Sequence, residues 1–162
     1  MDLKINRVIK NWKNVHKIKY TKNYVTNHAS PGRRFAKQNP NIKLWKEAFK
    51  QFNLFPVRED PFYGTLLMNH YLDGSFTHPH QDNAEEGYAH IRANVMIKKP
   101  KYGGDIIIDN KFHLVEINDL WLVIASMEKH ASMPIKDGER LIYSFGASIK
   151  KEEIQKIIKY AI

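Results

Sequence analysis

The amino-acid sequence predicts a mainly β fold of the barrel or sandwich kind, with helices confined to its flanks. Three observations carry that reading. From about residue 63 onward, short strand-like stretches follow one another with turn signals between them. Residues 89–98 alternate, with Ile91, Ala93, Val95 and Ile97 set against Arg92, Asn94, Met96 and Lys98. Residues 120–125 form a continuous apolar run, as a fully buried strand requires.

The elements follow in chain order. Residues 2–9 alternate loosely through Leu3, Ile5 and Val8 and are expected to form a first strand. Residues 10–30 are polar, with scattered aromatics at Trp12, Tyr20 and Tyr24, and receive no element; Ser30-Pro31-Gly32 is a turn signal. Apolar positions 42, 45, 49 and 52 keep helical spacing behind Asn41, an apt N-cap, so residues 42–52 are an amphipathic helix with Trp45 and Phe49 in the core. Pro56 and Pro61 break the chain before a buried strand over 63–71, and residues 72–79, with Gly74 and Pro79, are expected as a loop over a site mouth. After the strand at 89–98 and a turn at 100–104, residues 105–109 and 111–117 read as a hairpin bending near Asn110. Strands over 130–133 and 140–149 are expected to be joined by an Asp137-Gly138 turn, and a charged helix over 150–162 closes the chain.

The totals bound the function. A chain of 162 residues with 43% hydrophobic content and eight Phe, eight Tyr and three Trp is one folded domain with a sizeable core. Its expected layout is a basic support region over 1–60, a β core over 61–150 and a terminal helix over 151–162. The absence of cysteine excludes disulfides, cysteine-based zinc sites and thiol nucleophiles. No apolar run approaches the ~20 residues that span a bilayer, and the first residues lack an apolar signal core. A soluble, cytoplasmic domain without a membrane partner is the expectation, and the oligomeric state stays open. The formal charge of +9 is uneven: residues 1–50 hold thirteen Lys and Arg against two acids, whereas the remainder holds thirteen against fifteen. A basic N-terminal third can attract nucleic acid or an acidic protein, or be a solvated lysine surface.

One stretch carries chemistry. His80 and Asp82 stand two residues apart, so on a strand both point into one space. One more histidine, for which His130 is the candidate, completes a face of two imidazoles and a carboxylate, the donor set that suits non-haem Fe(II) and leaves positions open. His78 competes locally, because His78-Pro79-His80 also puts two imidazoles on one face. Ten residues past His130, Arg140 falls on a strand expected to face the interior, where a buried guanidinium needs a carboxylate. His16, His28, His70, His90 and His113 show no partner pattern and read as structural.

The order Tyr71, Gly74, His80-x-Asp82, Gly103-Gly104, His130 and Arg140 resembles the Fe(II)/2-oxoglutarate-dependent dioxygenases, most closely their prolyl-4-hydroxylase-like branch, over about the last hundred residues. That resemblance implies a double-stranded β-helix (jelly-roll) core, braced on one outer face by helices. It implies His80, Asp82 and His130 as iron ligands, with the five-residue gap after Gly74 favouring His80 over His78. Arg140 would hold the distal carboxylate of 2-oxoglutarate, with Tyr71 in support and Asn94, Met96 or Lys98 contributing from the next strand; Asn94 is the chosen contact. The implied activity is hydroxylation of a substrate C–H bond with O2, releasing succinate and CO2, with ascorbate as a stimulant. A protein or peptide substrate, oxidised at a prolyl or other side chain, is the leading expectation. The related nucleobase dealkylases share the Asn69-x-Tyr71 opening, but their second arginine, six residues past the first, is here Gly146. A non-catalytic basic jelly-roll that binds nucleic acid is the reading from another class.

Overall fold

Strand alternation sets the architecture of the protein, whose structure, a computed structural model, describes residues 1–27, 30–55, 57–61 and 65–159. Among these residues the strands are β1 (Val8–Ile9), β2 (Val25–Thr26), β3 (Arg33–Lys37), β4 (Leu66–Tyr71), β5 (Thr77–His80), β6 (Tyr88–Lys98) and β7 (Tyr102–Gly103). They continue as β8 (Ile106–Ile108), β9 (Lys111–His113), β10 (Leu120–Val123), β11 (His130–Ser132), β12 (Ile135–Lys136) and β13 (Arg140–Lys150). The α-helices are α1 (Ile42–Lys50) and α2 (Lys151–Gln155), and a short 3-10 helix at Val15–Lys17 joins β2 in the stretch over 10–30 expected to hold no element. A seven-stranded sheet in the order β1-β10-β6-β13-β4-β3-β2 faces a four-stranded sheet in the order β5-β11-β8-β9, and β12 pairs with β7 beside them. Every pairing is antiparallel, and the result is a jelly-roll.

Each long strand of the large sheet divides its side chains between two cores, because successive residues point to opposite faces. Ala89, Ile91, Ala93 and Val95 of β6, with Leu141, Tyr143 and Phe145 of β13, pack outward under α1. Helix α1 starts where Asn41 accepts a hydrogen bond from Leu44 N–H at 3.1 Å, and its Trp45 indole donates to Gly146 O at 2.7 Å. The opposite face carries Met96, Trp121, Val123, Ile142 and Tyr71 against Ile106 and Ile108 of the small sheet. The site lies between the two sheets on this inner side.

Several expectations are corrected. Ile42 is 45% exposed, and Leu44 and Ala48 take its place in the core. The apolar strip is centred between Trp45 and Ala48, and at ~100° per residue Ile42 falls roughly a quarter-turn off it. The first strand shrinks to Val8–Ile9 because Lys4 N–H donates to Ile157 O and Leu3 bridges to Ile158, so the N-terminal stretch divides between two partners. Residues 77–80 form β5 rather than loop; Pro79 is tolerated because β5 is an edge strand. Asp137-Gly138 does not join β11 to β13, because β12 intervenes and pairs with β7. The second arm of the hairpin stops at His113, since β8 offers three residues to pair with. Helix α2 ends at Gln155, after which Ile157 and Ile158 turn into the core. Of the remaining expectations, His28, Pro56, the start of the strand at Tyr63 and the last residues of the terminal helix lie outside the described residues. No helix among those described is long and apolar enough to cross a membrane.

Candidate metal centre

Pairing of β5 with β11 brings two histidines together, since His130 and His80 are Cα partners across the ladder. Their rings lie 4.2 Å apart between centroids. The chain leaves β5 just after His80, and Asp82 N–H donates to Ala125 O at 2.8 Å, which turns the carboxylate back toward both rings. His80 Nε2 lies 3.3 Å and His130 Nε2 3.7 Å from Asp82 Oδ1. Asp82 is therefore beyond the strand rather than on it, but on the expected side. The three donor atoms lie within 4.8 Å of one another.

Backbone contacts fix which nitrogen each ring offers. His80 Nδ1 lies 2.8 Å from His78 O and His130 Nδ1 3.0 Å from Glu128 O. A carbonyl only accepts, so each Nδ1 carries a proton; in the neutral ring Nε2 offers its lone pair to a metal beside Asp82, and in the protonated ring Nε2 donates to the carboxylate. Glu128 is itself pinned, by Arg7 Nη1 at 2.8 Å and by Ile124 N–H at 2.8 Å. Behind the carboxylate sits His90, wholly buried, with Nδ1 2.8 Å from Asp60 Oδ2 and Nε2 3.4 Å from Asp82 Oδ2. Such a backing group orients a metal ligand.

These contacts shape the local charges. The hydrogen bond with Asp82 raises the His80 pKa above its ordinary value against the opposing effect of burial. Burial would raise Asp82, but the hydrogen bonds from His80 and His90 outweigh it and hold the carboxyl well below the usual range. Burial pushes His130 down, toward the neutral form a metal ligand needs.

A cavity of about 390 Å³ opens from this triad and is walled by both sheets. Deep in it lies Arg140, 1% exposed. Its Nη1 donates to Gly104 O at 2.5 Å and its Nη2 to Ser132 Oγ at 3.0 Å, while Nε has no hydrogen-bond partner. No carboxylate among the described residues forms an ion pair with it. Its Cζ stands 4.1 Å from the centroid of the Tyr71 ring, and Arg33 approaches the same ring at 5.3 Å. Burial would raise the Tyr71 phenol, but the charges of Arg33 and Arg140 hold it below its ordinary value. Two imidazoles and one carboxylate suit Fe(II), and a buried arginine with a spare donor and no carboxylate suits one end of a dicarboxylate. The residues present therefore fit both groups.

Of the anticipated residues, His80, Asp82, His130, Arg140, Tyr71 and Asn94 all line this cavity. Met96 lies in the inner core, and Lys98 is drawn outward into an ion pair with Glu139 at 2.7 Å. His78 is exposed against Phe76. His70 is better partnered than its sequence context suggests, accepting from Arg34 Nη2 at 2.7 Å and meeting Glu139 at 2.5 Å. Sequence reasoning missed Asp60, His90, Arg92 and Arg33. The alternation of β6 did hold a signal, since His90 and Arg92 share the inner face with Asn94. Arg92 is buried, which lowers its pKa to about 10 against the nearby charges of Asp82 and Asp60.

No protein-family model matches the chain, and no curated protein matches it either. Solved structures do. A Pseudomonas putida prolyl-4-hydroxylase aligns at TM-score 0.57 and 16% identity, over 79% of this chain and 78% of its own. The viral collagen prolyl hydroxylase of Paramecium Bursaria Chlorella virus-1, solved with 2-oxoglutarate, gives 0.53 and 15%, over 72% and 79%. HygX from Streptomyces hygroscopicus, solved with nickel, 2-oxoglutarate and hygromycin B, gives 0.54 and 14%, over 77% and 72%. An oxidoreductase of the 2OG-Fe(II) oxygenase family from Burkholderia pseudomallei is matched over 42% of its length, so the chain spans less than half of that protein. The fold is thus the jelly-roll that these prolyl hydroxylases and HygX share.

Proposed function

We propose that the protein is an Fe(II)- and 2-oxoglutarate-dependent dioxygenase that hydroxylates a C–H bond, with a prolyl or other peptidyl side chain as substrate. One observation carries this reading: a two-histidine, one-carboxylate face shares a cavity with a buried arginine that has no carboxylate partner among the described residues. His80, Asp82 and His130 would hold the metal and Arg140 the distal carboxylate of 2-oxoglutarate, beside Tyr71 and Asn94. Bound iron and 2-oxoglutarate supply the oxidising power for C–H hydroxylation by O2, with succinate and CO2 released. The chain's own part is placement. The backbone carbonyls of His78 and Glu128 set the two imidazole tautomers, and His90 backs the carboxylate. Gly104 O and Ser132 Oγ hold the Arg140 guanidinium in one orientation. Peptide substrates are supported by the likeness to prolyl hydroxylases, and a nucleobase substrate remains the competing outcome of the test below.

The test is optical. Anaerobic addition of 2-oxoglutarate to the Fe(II)-loaded protein should produce a visible absorption band, abolished by His80→Ala and shifted to much higher 2-oxoglutarate concentration by Arg140→Met. Absence of any band at saturating Fe(II) and 2-oxoglutarate defeats the reading. It would promote the non-catalytic module, which should bind nucleic acid salt-sensitively whether or not His80 is present.

A further inference from the structure

The cavity holds more positive charge than the proposed co-substrate uses. Strand β3 turns Arg33, Phe35 and Lys37 toward it, because residues two apart on a strand share a face. Among the lining residues Asp82 is the sole carboxylate, against Arg33, Lys37, Arg92 and Arg140. Arg92 faces the charges of Asp82 and Asp60, and Arg140 is committed to 2-oxoglutarate. A ferrous ion and a 2-oxoglutarate dianion carry equal and opposite charge, so loading both leaves Arg33 and Lys37 uncompensated. Arg33 donates through Nη2 to the neutral Asn69 Oδ1 at 2.9 Å, and its Nε, though buried, has no hydrogen-bond partner. Neither Arg33 nor Lys37 forms an ion pair with a carboxylate among the described residues.

The rings of the cavity say which kind of anion fits. A nucleotide would need an aromatic face for its base. Phe35, Tyr71 and Trp121 line the space, but Arg33 and Arg140 lie over the Tyr71 ring and Trp121 is 2% exposed in the inner core. That leaves Phe35 alone. An extended peptide, by contrast, runs in step with β3: at ~3.3 Å per residue, Arg33 and Lys37 are spaced like acidic side chains four residues apart.

We propose that the substrate is an acidic peptide, with a carboxylate near the oxidised residue seated on Arg33 and a further acidic group reaching Lys37. The assignment rests on the dioxygenase reading and names its substrate class. The test is calorimetric binding to the anaerobic protein loaded with Fe(II) and 2-oxoglutarate, at low salt. The probes are a short proline peptide with one glutamate next to the proline and a second four residues from the first, its glutamine counterpart, and a methylated trinucleotide. The glutamate peptide should bind about tenfold or more tightly than the glutamine peptide, as loss of a charge-assisted contact implies. The preference should fall several-fold in Arg33→Gln, and also in Lys37→Gln, an exposed position where folding is not at issue. Equal binding of the two peptides overturns the proposal. So does loss of 2-oxoglutarate binding, rather than peptide preference, in Arg33→Gln, which would move Arg33 into the co-substrate site. Tighter binding of the trinucleotide that depends on Arg33 overturns it in favour of nucleic acid. Failure of the wild type to bind 2-oxoglutarate is a separate readout and defeats the dioxygenase reading instead.

Discussion

Replacing Arg140 with methionine should nearly abolish 2-oxoglutarate binding while changing the stability of the ligand-free protein little. The guanidinium is 1% exposed and has two neutral acceptors, Gly104 O and Ser132 Oγ, and no ion-paired carboxylate. Burying a charge without a counter-charge costs several kcal/mol, so removing it relieves roughly that much. Against this, Gly104 O and Ser132 Oγ lose their donor, at about 1–3 kcal/mol each. The two effects offset one another, and Arg140→Met should stay within about 2 kcal/mol of wild type, whereas breaking a true buried ion pair costs about 3–5 kcal/mol. Ligand binding behaves oppositely. Two hydrogen bonds to a carboxylate, at about 1.5–3 kcal/mol each, correspond to an affinity loss of about 10²–10⁴-fold. Differential scanning calorimetry reads both. At a hundredfold excess over the wild-type Kd, 2-oxoglutarate should stabilise the metal-loaded wild type by about 2.7 kcal/mol, a rise of about 5–11 °C in Tm, and should raise the variant's Tm by no more than about 2 °C. A variant that keeps the ligand-induced rise, or that loses more than about 4 kcal/mol without ligand, would refute the reasoning, because Arg140 would then be a structural cation.

Three further predictions concern the surroundings of the site. His90→Leu and Asp60→Asn, which loosen the backing of Asp82, should lower metal affinity about 10–100-fold in a chelator competition; unchanged affinity would reduce His90 to core packing. Gly103 has φ +73°, and a Cβ there would meet Pro134 O at 1.9 Å. Gly103→Ala should therefore cost about 2–3 kcal/mol in urea unfolding and weaken 2-oxoglutarate binding through the displaced Gly104 carbonyl; a neutral effect on both would contradict this. Glu139 is held at about 2 by hydrogen bonds from Lys98 and His70, below its ordinary 4.5. A depressed carboxyl stabilises the fold above its unfolded pKa and ceases to do so as pH falls through the folded one. Glu139 is about a third exposed, so Glu139→Gln should cost only about 1 kcal/mol at pH 7, and the gap to wild type should close between roughly pH 4.5 and 2. A gap independent of pH would show that the pair contributes no charge interaction.

Much of this was legible in the chain, and for stated reasons. Period-two alternation over β6 and the apolar run of β10 dictate strands, and the histidine–aspartate spacing with His130 and Arg140 downstream places four side chains in one cavity. Local chemistry also predicted Asn41 as a cap and a glycine-only conformation at Gly103 and Gly104, both at positive φ, although the turn expected over residues 100–104 is occupied by β7. What the chain hid is what depends on pairing partners. Pro79 argued for loop, yet an edge strand needs no donor from it. Asp137-Gly138 looked like a hairpin bend, but β11 and β13 belong to different sheets. Asp60 and His90 are thirty residues apart and meet only through tertiary packing, so no spacing announces them. The basic N-terminal third read as a separate flank, whereas β3 inserts into the large sheet next to β4 and carries Arg33 into the cavity wall.

The central claim is tested most directly by succinate formation from 2-oxoglutarate with Fe(II), ascorbate and oxygen, without added substrate, in wild type, His80→Ala and Arg140→Met. Slow succinate release in the wild type, lost in His80→Ala and, at limiting 2-oxoglutarate, in Arg140→Met, is the result the site geometry predicts. Succinate that appears equally in all three proteins, or in none of them even when acidic proline peptides are supplied, would contradict it.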